Sequence, residues 1–471
     1  MYFSSMTFLW IFLPATLILY FIAEHTKNDK AENIVLLVAS LIFYAWGEPV
    51  YIFLLLFSVL MNYIFGILIA CEKIRFRKIL LFLGVVFNIS LLAFFKYFNF
   101  FAGSINRVLG NDTISLSQFA LPLGISFYTF QAMSYVIDVY KKEVNAQKNF
   151  FYLLLYISLF PQLVAGPIVK YKDIEEQMKH RIHTDEKRAY GVKRFVYGLG
   201  KKVLLSNVMG KYVDMLLAFQ TEQLSTGLLW MIMIMYSFQL YYDFSGYSDM
   251  AIGLGAMFGF EFKENFNYPY ISKSIREFWT RWHISLSTWF KEYVYIPLGG
   301  NRKGNVRTYI NLFLVFFLTG FWHGAGLNFI FWGMLHGVFM VLERLGFGKL
   351  LDKNPIKMLN HLYAWIVVVC AWPFFRIESI REGFGYLKGM FVYQRGEYNL
   401  FSCINIEVAL ALFSCFLLCG ILQAAFPKFK RALAERERIP LIEAAGLLCI
   451  FLLCIVSLSA DAYNPFIYFR F

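Results

Sequence analysis

Long apolar runs separated by short polar stretches make up most of the chain. Several runs reach or approach the roughly 20 apolar residues that an α-helix needs to cross a bilayer. They cover residues 7–23, 50–70, 79–95, 309–321, 363–375, 408–426 and 444–460. Backbone N–H and C=O groups cannot pair with water in hydrocarbon, so each run is predicted to be a helix that satisfies its own backbone. The pattern therefore predicts an all-α polytopic membrane protein.

The composition agrees with this pattern. The 471 residues are 59% hydrophobic and only 16% charged, whereas a soluble domain carries roughly a quarter charged residues. The opening stretch "MYFSSMTFLWIFLPATLILYF" lacks a basic region and a small-residue cleavage site, so a retained first helix is predicted rather than a signal peptide. A single membrane domain over residues 1–471 is the simplest division of the chain.

The positive charge follows the loops. The formal net charge is +13, and basic clusters fall in the short stretches 27–30, 71–78 and 141–148. Lys and Arg accumulate in cytoplasmic loops of membrane proteins, so these clusters favour cytoplasmic loops over a nucleic-acid site. Their alternation with less basic loops places the N-terminus outside the cytoplasm.

One apolar stretch, residues 150–168, departs from the simple alternation. Pro161, Gly166 and Pro167 interrupt it, and the most highly charged part of the chain follows. Proline and glycine break helices, so the stretch is predicted to be a broken, re-entrant segment that returns to the cytoplasmic side. Such a segment is tolerated only where protein or water covers its backbone.

A second departure is the insert "SIREFWTRWHISLSTWFKEYVY", which is predicted to form one amphipathic helix in the membrane interface. Helical spacing of about 100° per residue predicts a polar face and an opposite aromatic face. The polar face holds Arg276, Thr280, His283, Ser287 and Lys291, and the other holds Phe278, Trp282, Leu286, Trp289 and Tyr293. Two interpretations stay open: an anchor with a solvated His283, or a polar entrance to a site formed by Arg276 and His283.

Two histidines stand in the apolar stretch "TGFWHGAGLNFIFWGMLHG". On one continuous helix, His323 and His336 would be about 20 Å apart along the axis and on different faces. Gly324 and Gly326 predict a helix break beside His323. A histidine at membrane depth serves either as an interhelical hydrogen-bonding residue or as part of a functional site, where a neutral imidazole is suited to act as a general base.

The remaining polar candidates are fewer. Asp243 and Asp249 lie unusually close to an apolar run. The seven cysteines form no Cys-x-x-Cys pair, and no metal site is predicted. The glycine-rich stretches at 198–202 and 253–259 lack the spacing of nucleotide-binding loops.

Five blocks together resemble the bacterial membrane-bound O-acyltransferases, in the alginate O-acetylase-like branch, with the teichoic-acid D-alanyl transfer proteins as relatives. These blocks are "FPQLVAGPIVKY", "YYDFSGYSDMAIGLGAMFGFEFKENFNYPY", "REFWTRWHISLSTWFKEYVYIPLGGNRKG", "FWHGAGLNFIFWGMLHG" and the terminal "NPFIYFRF". Four lie in order within the motif-rich region 160–337. The resemblance implies about eleven transmembrane helices plus re-entrant and interfacial helices, in a bacterial cell membrane.

The resemblance also implies a reaction and its residues. It implies that His323 is the essential histidine and that His283 is a second catalytic histidine on the cytoplasmic approach. His336 matches a position of less settled role, and Arg276 and Asp249 are secondary candidates. The implied activity is transfer of an acyl group, most simply acetyl, from a cytoplasmic thioester (acetyl-CoA or an acyl carrier protein) to a hydroxyl. No cofactor is expected to be bound.

The resemblance implies that the acceptor of that reaction is a cell-surface glycan or a second, extracytoplasmic partner transferase. Two alternatives stay open: D-alanyl transfer to teichoic acid, and, in another class, a transporter or channel with a histidine-lined path. The absence of an inverted repeat argues against a transporter.

Overall fold

The computed structural model describes residues 1–72, 75–111, 113–115, 119–426, 440–460 and 463–467. Within these ranges the regular secondary structure is helical, apart from one isolated β-bridge between Leu224 and Tyr398. The all-α prediction is therefore confirmed. Residues 73–74 of the basic loop and residues 468–471 of the terminal motif lie outside the described residues.

The chain packs as two compact units, the first of which comprises Met1–Leu199 and Tyr247–Lys263. Its helices are α1 (Leu13–His25), α2 (Asp29–Gly47), α3 (Tyr51–Ala70), α4 (Arg77–Leu109), α5 (Ile125–Lys141), α6 (Phe150–Ser158), α7 (Phe160–Leu163), α8 (Tyr171–Lys179) and α9 (Asp185–Gly200). A π-helical turn, Phe8–Phe12, extends α1 at its start.

The second unit comprises Gly200–Gly246 and Glu264–Phe471. Its helices are α10 (Asn207–Leu216), α11 (Thr226–Met257, whose last residues belong to the first unit), α12 (Ile275–Arg281), α13 (Ile284–Phe290), α14 (Asn305–His323), α15 (Leu327–Leu342), α16 (Gly348–Lys353), α17 (Lys357–Arg376), α18 (Ile380–Phe391), α19 (Leu400–Cys403), α20 (Ile406–Phe416), α21 (Leu422–Ala425) and α22 (Leu441–Ala460). π-helical turns at Lys201–Ser206, Lys291–Tyr295, Glu343–Phe347 and Leu417–Ile421 lie between them.

The predicted apolar runs coincide with these helices. In the described part of the chain, eight helical stretches are long and apolar enough to cross a membrane. They are Phe8–His25, Asp29–Gly47, Tyr51–Ala70, Arg77–Leu109, Leu327–Lys353, Lys357–Arg376, Ile406–Ala425 and Leu441–Ala460. The predicted run 309–321, which is not among these eight stretches, lies within α14. The polytopic prediction is confirmed, whereas the number of eleven spanning helices stays a prediction.

The segment 150–168 is broken, as predicted. α6 ends at Ser158, α7 is a single turn, and the backbone from residue 167 to 170 is non-helical. At about 1.5 Å per residue, a helix of nine residues reaches less than half of a bilayer core. The return of this segment to the cytoplasmic side stays a prediction.

The prediction of one continuous helix across the insert is wrong. α12 ends at Arg281, and α13 begins at Ile284. Between them His283 takes a left-handed conformation (φ 44°, ψ 54°). The backbone bonds at the break go to a separate stretch of chain: Ile284 N–H donates to the Asn265 carbonyl at 2.9 Å. The helical spacing could not show that this stretch competes for the backbone.

The prediction for the aromatic face of the insert is confirmed, whereas the prediction for its polar face fails at His283. All five apolar residues of the predicted aromatic face are buried, as expected. His283 is buried as well, with 1% of its surface exposed, so the solvated histidine on a polar face is wrong. The left-handed turn rotates His283 away from the face that the helical wheel assigns to it.

α14 and α15 approach closely along a stripe of glycines. A Cβ atom at Gly320 would collide with the backbone oxygen of Phe329, and one at Gly333 would collide with that of Phe316. Small residues permit this contact between membrane helices, where packing rather than the hydrophobic effect drives association. The close pair fixes the positions of the residues at the α14–α15 turn.

Candidate active site

His323 is the last residue of α14, and the helix stops there because the chain turns at the glycines that follow. Gly324 is extended, Gly326 precedes the first residue of α15, and a Cβ at Gly324 would run into the Phe329 ring. The predicted break beside His323 is confirmed. His323 and His336 therefore lie on different helices.

Aromatic rings surround the His323 side chain, which is only 3% exposed. Its ring centroid lies 4.7 Å from that of Trp322, 5.2 Å from that of Trp332 and 5.0 Å from that of Phe375. The Trp332 and Phe375 rings meet the imidazole edge-on, at 89° and 75°. These contacts hold the imidazole in one orientation at the end of α14.

His336, on α15, packs against the same Trp332 ring that contacts His323. It is fully buried, and neither of its ring nitrogens has a hydrogen-bond partner among the described residues. Phe278 stacks on it at 6.2 Å, Trp279 meets it at 5.3 Å and Trp332 at 5.2 Å. The indole of Trp332 thus contacts both histidines. We refer to His323, His336, Trp279, Trp332 and Phe375 as the ring cluster.

The start of α12 is fixed by a buried carboxylate, which places Phe278 and Trp279 against His336. Glu343 accepts hydrogen bonds from the backbone N–H of Ile275 at 2.6 Å and of Arg276 at 3.0 Å. A carboxylate at a helix N-terminus satisfies N–H groups that have no partner within the helix. Tyr363 donates a further hydrogen bond to Glu343 at 3.0 Å.

His283 is held by hydrogen bonds as well as by ring contacts. Its Nδ1 donates to Oδ1 of Asn265 at 3.1 Å, and the same oxygen accepts from the Ser285 hydroxyl at 2.8 Å. Its ring lies 4.6 Å from Phe244 and 6.3 Å from Trp322, which also packs on His323. Burial lowers the pKa of His283 to about 3, so the imidazole is neutral at physiological pH.

The two secondary candidates have other surroundings. The Arg276 side chain is exposed. Asp249 belongs to the first unit, where its carboxylate forms an ion pair with Arg194, with Oδ1 2.7 Å from Nη2. The structure thus gives Asp249 an ion-pairing role and brings neither residue into the ring cluster.

A cavity of about 340 Å³ opens beside the ring cluster. Polar side chains of α10, α11, α15 and the end of α17 line it together with aromatic and backbone groups. Its wall consists of Asp214, Tyr236, Gln239, Gly326, Asn328, Phe329, Phe375, Arg376, Glu378, Pro465 and Ile467. Phe375 belongs to the wall and also contacts the His323 ring, so this one side chain connects the cavity with the histidine.

The charged groups of the cavity are organised around Asp214. Arg376 Nη2 lies 2.7 Å from Asp214 Oδ1, and the Tyr463 hydroxyl donates to Oδ2 at 2.7 Å. Asn328 donates from its side chain to the Ile377 carbonyl at 3.1 Å. The cavity therefore offers polar groups suited to a hydroxylated substrate, next to a buried imidazole.

Comparison with known proteins agrees with this geometry. Residues 146–384, which include both α12–α13 and the α14–α15 turn, match the model of the membrane-bound O-acyltransferase family. The chain belongs to this family. It is thus an O-acyltransferase, a member of an enzyme family rather than a transporter, and a multi-pass protein of a bacterial membrane.

Three relatives of this acyltransferase carry names that describe different acceptors. A probable alginate O-acetylase of Pseudomonas putida is 39% identical over the full length of both chains. A peptidoglycan O-acetyltransferase of Helicobacter pylori is 38% identical over 82% of this chain and 79% of the relative. A teichoic acid D-alanyltransferase of Bacillus subtilis is 32% identical over 52% of this chain and 62% of the relative.

Several residues of the acyltransferase site escaped the sequence analysis. Trp332 and Phe375 lie in uniformly apolar runs, where no spacing distinguishes a site residue from a packing residue. Asp214 and Arg376 stand at the ends of α10 and α17, and Asp214 lies far from Arg376 in the sequence. The signal that could have identified Asp214 and Arg376 is a charged residue near the end of a helix, the same signal that marks Asp243 and Asp249.

Proposed function

We propose that this enzyme transfers an acetyl group from a cytoplasmic thioester to a hydroxyl of an extracytoplasmic polysaccharide, or to a partner transferase that completes the transfer. The observation that carries the proposal is the position of His323. A buried imidazole stands at a helix break, and the Phe375 ring that packs on it lines a polar cavity.

The acyl group and the acceptor class are supported by the relatives. The full-length relative is named for acetylation of alginate and the Helicobacter pylori relative for acetylation of peptidoglycan. Both names describe acetyl transfer to a polysaccharide outside the cytoplasm. The cavity, with carboxylate, guanidinium and amide groups on its wall, provides the hydrogen-bonding groups that a glycan hydroxyl requires.

His323 acts as the general base in this proposal. It takes the proton of the acceptor hydroxyl while the hydroxyl oxygen attacks the thioester carbonyl carbon. The C–S bond then breaks, the ester C–O bond remains, and the departing thiolate receives the proton from the imidazolium. The aromatic rings around His323 exclude water, which protects the thioester from hydrolysis.

The charge pattern supports a donor and an acceptor on opposite sides of the membrane. Arg302 and Lys303 immediately precede α14, and Arg307 lies in its first turn. Basic loops face the cytoplasm, so the His323 end of α14 points away from it. The cavity then opens to the outside, His283 and Arg276 lie on the donor approach, and the N-terminus is extracytoplasmic. The donor is acetyl-CoA or an acyl carrier protein.

A second candidate is D-alanyl transfer to teichoic acid. The observation that favours it is the identity with the Bacillus subtilis D-alanyltransferase, which extends over half of this chain. The full-length match to a probable alginate O-acetylase makes acetyl transfer the better supported of the two.

The test compares cells that lack this protein with cells in which the full chain is restored. We expect alkali-labile acetyl esters on the surface glycan to depend on the protein, and membranes to incorporate label from radiolabelled acetyl-CoA. Label that enters instead from a D-alanyl carrier protein would favour the second candidate. Unchanged ester content and no incorporation from acetyl-CoA, from an acetylated carrier protein or from a D-alanyl carrier protein would contradict both.

A further inference from the structure

The second unit contains a buried ion pair that the proposed reaction does not use. Lys202 Nζ lies 2.7 Å from Asp243 Oδ1, and the two side chains are 3% and 1% exposed. An ammonium has three N–H donors. Lys202 donates to Asn207 Oδ1 at 2.8 Å and to the carbonyl of Pro465, and its charge is paired with that of Asp243.

The partners of this pair lie in one short stretch of chain, residues 463–467, which we call the wall segment. Asp243 Oδ2 accepts from the backbone N–H of Ile467 at 2.8 Å. Asn207 donates to the Asn464 side chain at 3.2 Å, and Tyr463 donates to Asp214. The ion pair, Asn207 and Asp214 thus hold the wall segment by backbone and side chain together.

The wall segment also borders the cavity, because Pro465 and Ile467 both line it. A buried ion pair is a weak source of stability, since desolvation offsets most of its Coulomb energy, and well-packed apolar residues often replace it without loss. Here the ion pair holds a segment in place, because the ammonium and the carboxylate each bind a backbone group of the wall segment.

We propose that Lys202 and Asp243 are positioning residues that seat the wall segment as one side of the acceptor cavity. Loss of the pair releases the segment and impairs access of the acceptor to the site. The seating itself is independent of the reaction, whereas the effect on access rests on the proposed function.

The test measures how accessible the wall segment is. Ile467→Cys is introduced into the full-length, detergent-solubilised protein, and its reaction with N-ethylmaleimide is followed by peptide mass spectrometry. Ile467 is 7% exposed, so labelling should be slow. In the Lys202→Met/Asp243→Leu background, which leaves no buried charge behind, we expect roughly tenfold faster labelling, because local opening controls the rate.

The buried Cys415 of α20, 0% exposed, serves as the internal control for the fold. Faster labelling of Ile467→Cys with Cys415 still protected supports the proposal, and unchanged labelling overturns it. If Cys415 also reacts faster, the comparison is repeated in Lys202→Met/Asp243→Asn, which preserves the side-chain volume at position 243. Unchanged labelling at position 467 in that background also overturns the proposal.

A second measurement separates this proposal from the proposed function. Transfer of acetyl from acetyl-CoA to the surface glycan should fall in the double variant, through a higher KM for the glycan rather than a lower kcat. Faster labelling with unchanged transfer would overturn the role in access. Absence of transfer in the unmodified protein would instead contradict the proposed function and leave the labelling result to stand.

Discussion

The surroundings of His336 and of Lys202 differ in how they accommodate a buried polar group. Lys202 donates two hydrogen bonds and forms an ion pair with Asp243, whose Oδ2 accepts from a backbone N–H. Around His336 the neighbours are rings, and neither nitrogen has a hydrogen-bond partner among the described residues. Both side chains belong to the second unit and both are almost fully buried.

The difference follows from charge. A buried ammonium is tolerated only with a counter-ion and hydrogen bonds, so its surroundings are tightly specified. A neutral imidazole can be enclosed by aromatic rings at a smaller cost in free energy than a charge. The residues around it therefore need to fit its shape rather than to hydrogen-bond with it. We therefore expect substitutions in the ion pair to act through an uncompensated charge, and substitutions in the ring cluster to act through packing.

The largest effect is expected where one member of the ion pair is removed. Lys202→Met leaves Asp243 buried without its counter-ion, which costs about 3–5 kcal/mol of stability. Thermal unfolding in detergent should show a clear loss, and Lys202→Met/Asp243→Leu should recover most of it. Lys211→Met, at an exposed position, is the matched control. An unfolding midpoint unchanged by Lys202→Met would contradict the claim that Asp243 needs Lys202 as its counter-ion.

A smaller effect is expected from paired substitutions of two buried histidines. His283→Phe removes the imidazole hydrogen bond to the Asn265 oxygen, which keeps its bonds from Ser285, and places Phe at a left-handed position that favours His over Phe. Together these changes should cost about 1–2 kcal/mol. His336→Phe removes nitrogens that have no partner and keeps a ring of similar shape, so its effect should stay within about 1 kcal/mol. Thermal unfolding of the two variants side by side tests this. A loss at His336 as large as that at His283 would reveal a hydrogen bond to His336 and contradict the contrast.

Much of the fold was predictable from the sequence because hydrocarbon imposes a simple rule on the backbone. The apolar runs marked helices, and Gly324 and Gly326 marked the break that separates His323 from His336. Both predictions needed only local information, the length of a run or the conformation of a glycine.

The parts that were missed depend on residues distant in the sequence. His283 leaves the helical pattern because Asn265 binds the backbone and the imidazole at the turn, and helical periodicity does not register a partner in another segment. Asp243 was noticed as an acidic residue near an apolar run, but Lys202 and the wall segment that complete its surroundings were not. Trp332 was missed for another reason, because a site residue in an apolar run looks like any packing residue.

The most direct test of the account is acetyl transfer by His323→Ala, measured in membranes with radiolabelled acetyl-CoA and normalised to the amount of full-length protein. If His323 is the general base, transfer should fall at least about a hundredfold. His180→Ala, the same substitution at an exposed histidine outside the ring cluster, should retain activity and is the matched control. Transfer by His323→Ala at the rate of the unmodified protein would contradict the assignment of this histidine.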